Sequence, residues 1–367
     1  MFYKSFLCYL LLISCLFSTE HVYLGTPAIT QENIIGTNVG IRPFRKTGVR
    51  LEAETLGGKL LVHNYGYGGS GLTLAFGGAQ EVIDILNNHP EHSKTVAVLG
   101  AGVAGLATAY MLQENGYKVH IYADEWSPNL TSNVAAGIWT PLIFPPGLDE
   151  EKKLLHQRML ENSRKRFLKS TAHPPEFSGV RIAPEYSFKT PASQKPEPAN
   201  DHEEIIAHFD NGVTAIGRRS HQIFIDGHLF MNDLSQKVEK NGATAKQFHF
   251  NSAEDILNLN ESTIINCTSM GSIALFHDEE FIPVRGELIY FKPQKNIDYI
   301  YSHNVDRTAE DPNLFFVVIC PWSDRLILGG VYEFDQTAPV ADPKIIKTIF
   351  ENAEKSLSRP QNIELKK

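Results

Sequence analysis

The chain has 367 residues, 42% hydrophobic and 21% charged, the balance of an ordinary globular protein. That length suits two domains, or one large α/β unit with an inserted part. A formal charge of −8 leaves no basic surplus to neutralise phosphates, which argues against a nucleic-acid partner. No CxxC pair, HExxH or EF-hand loop is present, so no metal site is expected.

In chain order, Lys4 precedes an apolar run over residues 6–17, which matches a signal peptide covering residues 1–18. The run is too short to span a bilayer comfortably as a mature helix. Leu12-Ile13-Ser14-Cys15 resembles a bacterial lipobox, which would leave Cys15 lipidated; ordinary cleavage near Ser18 is the alternative. Export, periplasmic or secreted, is the expectation. Residues 20–52 read as irregular, with one short strand and then GIRPFR. Residues 59–64 read as a strand, followed by GYGGSGLT and a helix over 74–86 whose Ala75, Ala79, Val82, Ile83 and Leu86 share one face. A polar linker, 87–94, leads to a buried strand at 96–99.

Gly100, Gly102 and Gly105 then turn that strand into a helix. The first glycine allows the tight turn, the second lets backbone approach a pyrophosphate, and the third lets helix and strand pack closely. Phosphates favour the helix N-terminus, where N–H groups are unpaired and the dipole is positive. A second strand, 118–122, ends at Asp124, placed to accept hydrogen bonds from ribose hydroxyls. Strand, turn, helix, strand and acid together read as a dinucleotide site, without separating NAD from FAD. Four glycines within 66–71 (Gly66, Gly68, Gly69, Gly71) allow a second close backbone approach just before a helix.

Further on, 150–169 reads as a charged amphipathic helix and 189–204 as a Pro-rich surface loop. A helix is expected at 229–241, a buried strand at 263–267, and strands at GELIYF, FFVVIC and RLILGG. Asp342 before Pro343 reads as a cap and first-turn proline opening the last helix. Cys8 and Cys15 lie in the leader. Cys267 and Cys320 sit in apolar runs and read as buried thiols.

The chain resembles the FAD-dependent D-amino acid oxidase family, which includes D-aspartate oxidase. The resemblance is carried by VLGAGVAGLATAYML (98–112), VHIYADEWSPNLTSNVAAGIWTP (119–141), INCTSMGS (265–272), VRGELI (284–289), LGG (328–330), GIRPFR (40–45) and HNYGYGGSGLT (63–73). The segments like GIRPFR and HNYGYGGSGLT stand last in that family, whereas here they precede the nucleotide strand. Circular permutation is the simplest account of a parts list complete but reordered. The eight-residue linker before Thr95 would then join the old termini, with a reach of about 26 Å.

The resemblance implies an α/β fold: a Rossmann-type FAD-binding domain (26–148 with 211–275) and a mixed-sheet substrate domain (149–210 and 276–358). It implies FAD as cofactor, held by Gly100, Gly102, Val103, Ala104 and Gly105 at the pyrophosphate and by Asp124 at the ribose. Thr131, Ser132, Ala136, Gly137 and Ile138 would line the flavin. Gly68, Gly69, Ser70, Gly71, Leu72 and Thr73 would cradle its carbonyl side. Arg42 falls on the arginine that grips the substrate carboxylate, a task suited to a planar two-pronged donor; Arg45 and Arg50 read as structural. The implied activity is oxidation of a D-amino acid by hydride transfer from the α carbon to flavin N5. The imine hydrolyses to a 2-oxo acid, O2 is the oxidant, and no side-chain base is needed. One departure stands out. Where the family places pocket tyrosines, counting back from Gly329 gives Leu314 and Val318, leaving Tyr301 or Tyr332 as the available hydroxyls. Thr140 is expected to face the pocket. A related amine or glycine oxidase, a dehydrogenase, or a non-catalytic flavin-binding protein remains open.

Overall fold

A computed structural model describes residues 19–140, 147–188, 202–305 and 313–358. The expected leader with Cys8 and Cys15, most of the expected loop (189–201) and everything past 358 lie outside the described residues. The strands are β1 (Glu20–Leu24), β2 (Ile34–Arg45), β3 (Arg50–Leu56), β4 (Lys59–Tyr65), β5 (Thr95–Leu99), β6 (Lys118–Ala123), β7 (Val180–Phe188) and β8 (Glu203–Phe209). They continue with β9 (Thr214–Ile225), β10 (Thr244–Gln247), β11 (Thr263–Asn266), β12 (Phe281–Phe291), β13 (Ile300–Asn304), β14 (Leu314–Pro321) and β15 (Leu326–Phe334). The helices are α1 (Gly71–Asn87), α2 (Val103–Glu114), α3 (Thr131–Val134), α4 (Glu150–Ser170), α5 (Gly227–Lys240), α6 (Ala253–Leu257), α7 (Ser272–Phe276) and α8 (Pro343–Ser358).

The uncharged run of β5 suits the centre of a parallel sheet, whose strands are covered on both faces. It lies between β6 and β11 in a six-stranded sheet of order β10-β6-β5-β11-β4-β3, parallel except for the β3–β4 hairpin. Helices α1, α2 and α5 cover one face through Ala75, Phe76, Leu106, Ala107 and Phe230. Helix α4 packs on α1 so closely that a Cβ at Gly77 would lie 1.9 Å from the Met159 carbonyl oxygen.

The second sheet has nine strands in the order β1-β8-β9-β7-β13-β14-β15-β12-β2 and is mixed, because β1 and β13 pair in parallel with β8 and β7. Helix α8 buries Ile349, Phe350, Ala353 and Leu357 against one face, alongside Ile29. Asp342 accepts the Lys344 N–H at 2.8 Å, so the expected cap and first-turn proline are in place. The opposite face turns toward the six-stranded sheet and forms one wall of the cleft described below.

Three expectations require correction. Residues 20–52 are not irregular: they hold β1, β2 and the start of β3. Gly36, Gly40 and Pro43 hide β2, since glycine and proline weaken a strand signal; proline is tolerated because β2 is an edge strand. The division by residue range also shifts. β2 and β9, placed with the nucleotide part, belong to the nine-stranded sheet, and α4, placed with the substrate part, packs on α1. Pairing decides membership here: β2 follows β12 from Arg45↔Phe281 to Ile34↔Phe291. The expected loop ends early, because Glu203 and Glu204 already belong to β8.

Cys267 and Cys320 are buried free thiols, as expected. Among the described residues no helix is long and apolar enough to cross a membrane, and no metal-ligating cluster occurs.

Candidate active site

The carboxyl ends of β5, β6 and β11 open onto a cleft of about 1450 Å³ that runs under the nine-stranded sheet. Such volume exceeds the usual small-ligand pocket and suits a dinucleotide with a small partner. The turn after β5 places Gly100 at φ +104, where a Cβ would meet the Cys267 carbonyl oxygen at 2.6 Å. Gly102 caps α2 and faces open space, with only the Ser132 hydroxyl near its missing Cβ, at 3.6 Å. At Gly105 a Cβ would lie 2.0 Å from the Gly100 carbonyl oxygen, so this glycine serves helix–strand packing and does not line the cleft. Val103 and Ala104 line it, the Val103 N–H donating to Ser132 Oγ at 3.0 Å. Asp124, at the end of β6, lines it too and lies 2.8 Å from His249 Nδ1.

From the other side, the loop between β4 and α1 brings a second helix N-terminus to the same space. Gly69, Gly71, Leu72 and Thr73 line the cleft; Gly68 and Ser70 do not. Both were expected to bind cofactor. Instead the Gly68 N–H donates to the Pro43 carbonyl and that of Ser70 to the Tyr67 carbonyl, bonds that shape the loop. Thr73 Oγ1 donates to the Thr140 carbonyl, holding Thr140 at the cleft wall as expected. Thr131, Ser132, Ala136, Gly137 and Ile138 all line the cleft as well.

Arg42 reaches the cleft from edge strand β2. Two glycines make room for it: a Cβ at Gly69 would meet Arg42 Cδ at 2.9 Å, and one at Gly286 would meet Nη1 at 2.4 Å. The guanidinium lies 4.4 Å from the Tyr332 ring centroid, and Nη1 donates to the Val331 carbonyl at 3.1 Å. Burial pulls its pKa below the ordinary arginine value, with Tyr332 acting the other way, and no described carboxylate pairs with it. Arg45 and Arg50 are structural, as expected: Arg45 forks onto Asp278, and Arg50 pairs with Glu52. The tyrosine question resolves in favour of Tyr332. The Tyr301 hydroxyl donates to the Ser356 carbonyl on the far side of the sheet. Leu314 and Val318 line the cleft as an apolar strip with Phe316.

Sequence reasoning assigned no role to residues 268–271, yet all four line the cleft. A buried relay places Thr268: its N–H and Oγ1 donate to Asn266 Oδ1, and Asn266 Nδ2 meets His63 Nδ1 at 3.0 Å. Burial lowers the His63 pKa, against the pull of Glu54. The INCTSMGS match was the available signal.

Residues 95–366 match the family described as FAD dependent oxidoreductase (DAO). The chain belongs to this family. Similar proteins include a D-amino-acid oxidase of Streptomyces coelicolor, 25% identical over 260 residues, covering 71% of this chain and 76% of that one. A D-aspartate oxidase of Homo sapiens is 24% identical, covering 56% of this chain and 64% of its own. Among solved structures, glycine oxidase from Geobacillus kaustophilus superimposes with a TM-score of 0.49 at 12% identity, covering 73% of this chain and 80% of that chain. Membership of a family of FAD-dependent oxidoreductases makes FAD its cofactor. The residues fit that group. Two helix N-termini face one cleft, Gly102 leaves an open approach, and a carboxylate stands at the end of β6.

Proposed function

We propose that the protein oxidises D-amino acids, with Arg42 holding the substrate's α-carboxylate and O2 as oxidant. The observation that carries this reading is the confined guanidinium of Arg42, set between Gly69 and Gly286 without a described counter-ion. A buried cation without a counter-ion is costly, and a substrate carboxylate would supply two parallel hydrogen bonds. The choice of D-amino acids rests on the relatives named D-amino-acid oxidase and D-aspartate oxidase.

When bound, FAD supplies the two-electron oxidation of the amine to an imine, which water hydrolyses to the 2-oxo acid. The chain's part is binding and orientation. Arg42 fixes the carboxylate end, while Leu314, Phe316 and Val318 present a wall without hydrogen-bonding groups. The first-turn N–H groups of Gly71, Leu72 and Thr73 offer donors where negative charge would gather on the flavin. Ser132, Ala136, Gly137 and Ile138 would hold the flavin from the opposite side, and Asp124 the ribose. No side-chain base is assigned.

The apolar β14 favours a second reading, a related amine oxidase or a dehydrogenase using another acceptor. Peroxide formation separates them: purified FAD-loaded protein should release peroxide with at least one D-amino acid of a panel. Flavin reduction by substrate without peroxide would select the dehydrogenase, and neither would leave a non-catalytic flavin-binding protein.

Two further proposals concern the chain itself. Export rests on Lys4 and the apolar run; intact mass of the exported protein should lack Met1, and a diacylglycerol adduct would identify Cys15 as a lipid anchor. Circular permutation is supported by β2 pairing with β12 of the nine-stranded sheet and β4 with β11 of the nucleotide sheet.

A further inference from the structure

The cleft has a second cationic end. On β9, Arg218, Ser220 and Gln222 alternate onto the cleft face, while Arg219 points away and pairs with Glu20 and Glu203. Arg218 is half-buried, and its Nε is buried without a hydrogen-bond partner. It stands at the end of one straight row across the sheet: Gly329 of β15, Val318 of β14, Ser302 of β13, Ser187 of β7, then Arg218. Every member of that row lines the cleft.

The row also measures the distance between the two cations. Arg42 lies against Gly286 on β12, the neighbour of β15, so five strand steps separate it from β9. At the usual spacing between strands this is about 24 Å between backbones. Arg218 can lean toward Arg42 and still be out of reach of a ligand as short as aspartate or glutamate. Between them lies the apolar strip of Leu314, Phe316 and Val318. Cation, apolar strip and cation is the complement of an amino acid whose side chain is a long aliphatic arm ending in an anion. Glu185 lines the same end, cross-strand from Ser220, and Glu204 stands cross-strand from Arg218 itself, so an anion entering there is favoured only where it reaches Arg218 directly.

We propose that Arg218, with Ser187 and Ser220, forms an outer subsite that receives the carboxylate-terminated end of an extended substrate while Arg42 holds the α-carboxylate. The substrate class is then a long-chain α-amino dicarboxylate or a conjugate carrying a remote carboxylate. The proposal rests on the reading of Arg42 given above, and the test separates the two.

FAD-loaded protein is titrated calorimetrically with α,ω-alkanedioates and with alkanoates of matched length, from four to fourteen carbons. These ligands carry no amine, so binding is read without turnover. The expected result is a dioate-to-alkanoate affinity ratio near one for short chains that rises about tenfold or more at long ones, the scale of a charged hydrogen bond. Arg218→Leu and Arg218→Gln should return the long-chain ratio to near one, and Arg218→Lys should keep part of it. Retained FAD content shows that each variant is folded. A ratio that never rises, or that persists in Arg218→Leu, overturns the subsite. A ratio already raised at four carbons and lost in Arg218→Leu overturns it too, by placing Arg218 in the inner site. Failure of the Arg42 reading looks different: alkanoate affinity would then be the same in wild type and Arg42→Leu, whatever the ratio does.

Discussion

At the scale of single residues, the account turns on Arg42. Its guanidinium is flanked by two glycines and a tyrosine ring, so a point charge on a flexible stem cannot take its place. Arg42→Ala leaves a carboxylate unpaired in a site partly closed to water, a loss of about 3–5 kcal/mol. Steady-state kinetics should show kcat/KM falling by about two to four orders of magnitude. Arg42→Lys should recover only a small part of that, and FAD content should not change. A loss within about threefold of wild type would place the carboxylate elsewhere. Tyr332 acts through its ring: Tyr332→Phe should change KM little, whereas Tyr332→Leu should raise it by about 3- to 30-fold, the range of a desolvated cation–π contact. The reverse order would mean that the hydroxyl touches substrate. Arg42 was legible because GIRPFR is a local string. Tyr332 was legible only as one of two candidates and Arg218 not at all, because their approach to the cleft depends on pairing between strands far apart in sequence.

At the scale of elements, the dinucleotide turn was readable because each glycine answers a local steric demand. Strand β2 was not, because its glycines and Pro43 mimic a loop and only its pairing with β12 makes it a strand. Beneath that pair lies a buried ionic cluster. Arg285 forks onto Glu333 at 2.8 and 2.9 Å and stands 3.4 Å from Glu287, which also accepts the Asp342 N–H at the start of α8. Burial pushes the Glu287 carboxyl from 4.5 up to about 7, against the pull of the Asp342 N–H and Arg285. Its folded pKa is therefore raised, so the folded state holds more protons than the unfolded between about pH 4.5 and 7. Stability should fall as pH rises through that window, by on the order of 3 kcal/mol from this group, and level off above it. Denaturant unfolding at pH 5 and pH 8 checks this. Glu287→Gln, which cannot ionise, should flatten the difference; equal pH slopes in the two proteins would exclude Glu287 as its source.

At the scale of the whole molecule, residues 34–87 supply an edge strand to one sheet, two strands to the other, the second helix N-terminus and Arg42. They are therefore integral to the cleft although they precede the nucleotide strand. If the order arose by permutation, a rearranged chain that begins at Thr95 and carries residues 19–94 after 358, through a flexible linker, should fold and bind FAD. Inability of several linker lengths to yield a flavin-binding protein would count against it. The nucleotide-binding unit was legible from its strand, glycine turn and helix, and the class of the whole fold from the family resemblance. The division between sheets was not, since alternation within a strand does not say which neighbour it pairs with. The central claim is that this cleft holds FAD beside an arginine that orients a D-amino acid. Stopped-flow measurement of anaerobic flavin reduction, with both enantiomers of each amino acid in a panel, tests it most directly. The account predicts bleaching of the flavin bands by at least one D-amino acid, at a rate at least about 100-fold above its L-enantiomer, a difference of about 2.7 kcal/mol in barrier. Bleaching by the L-enantiomer at an equal or greater rate, or by neither, would contradict it.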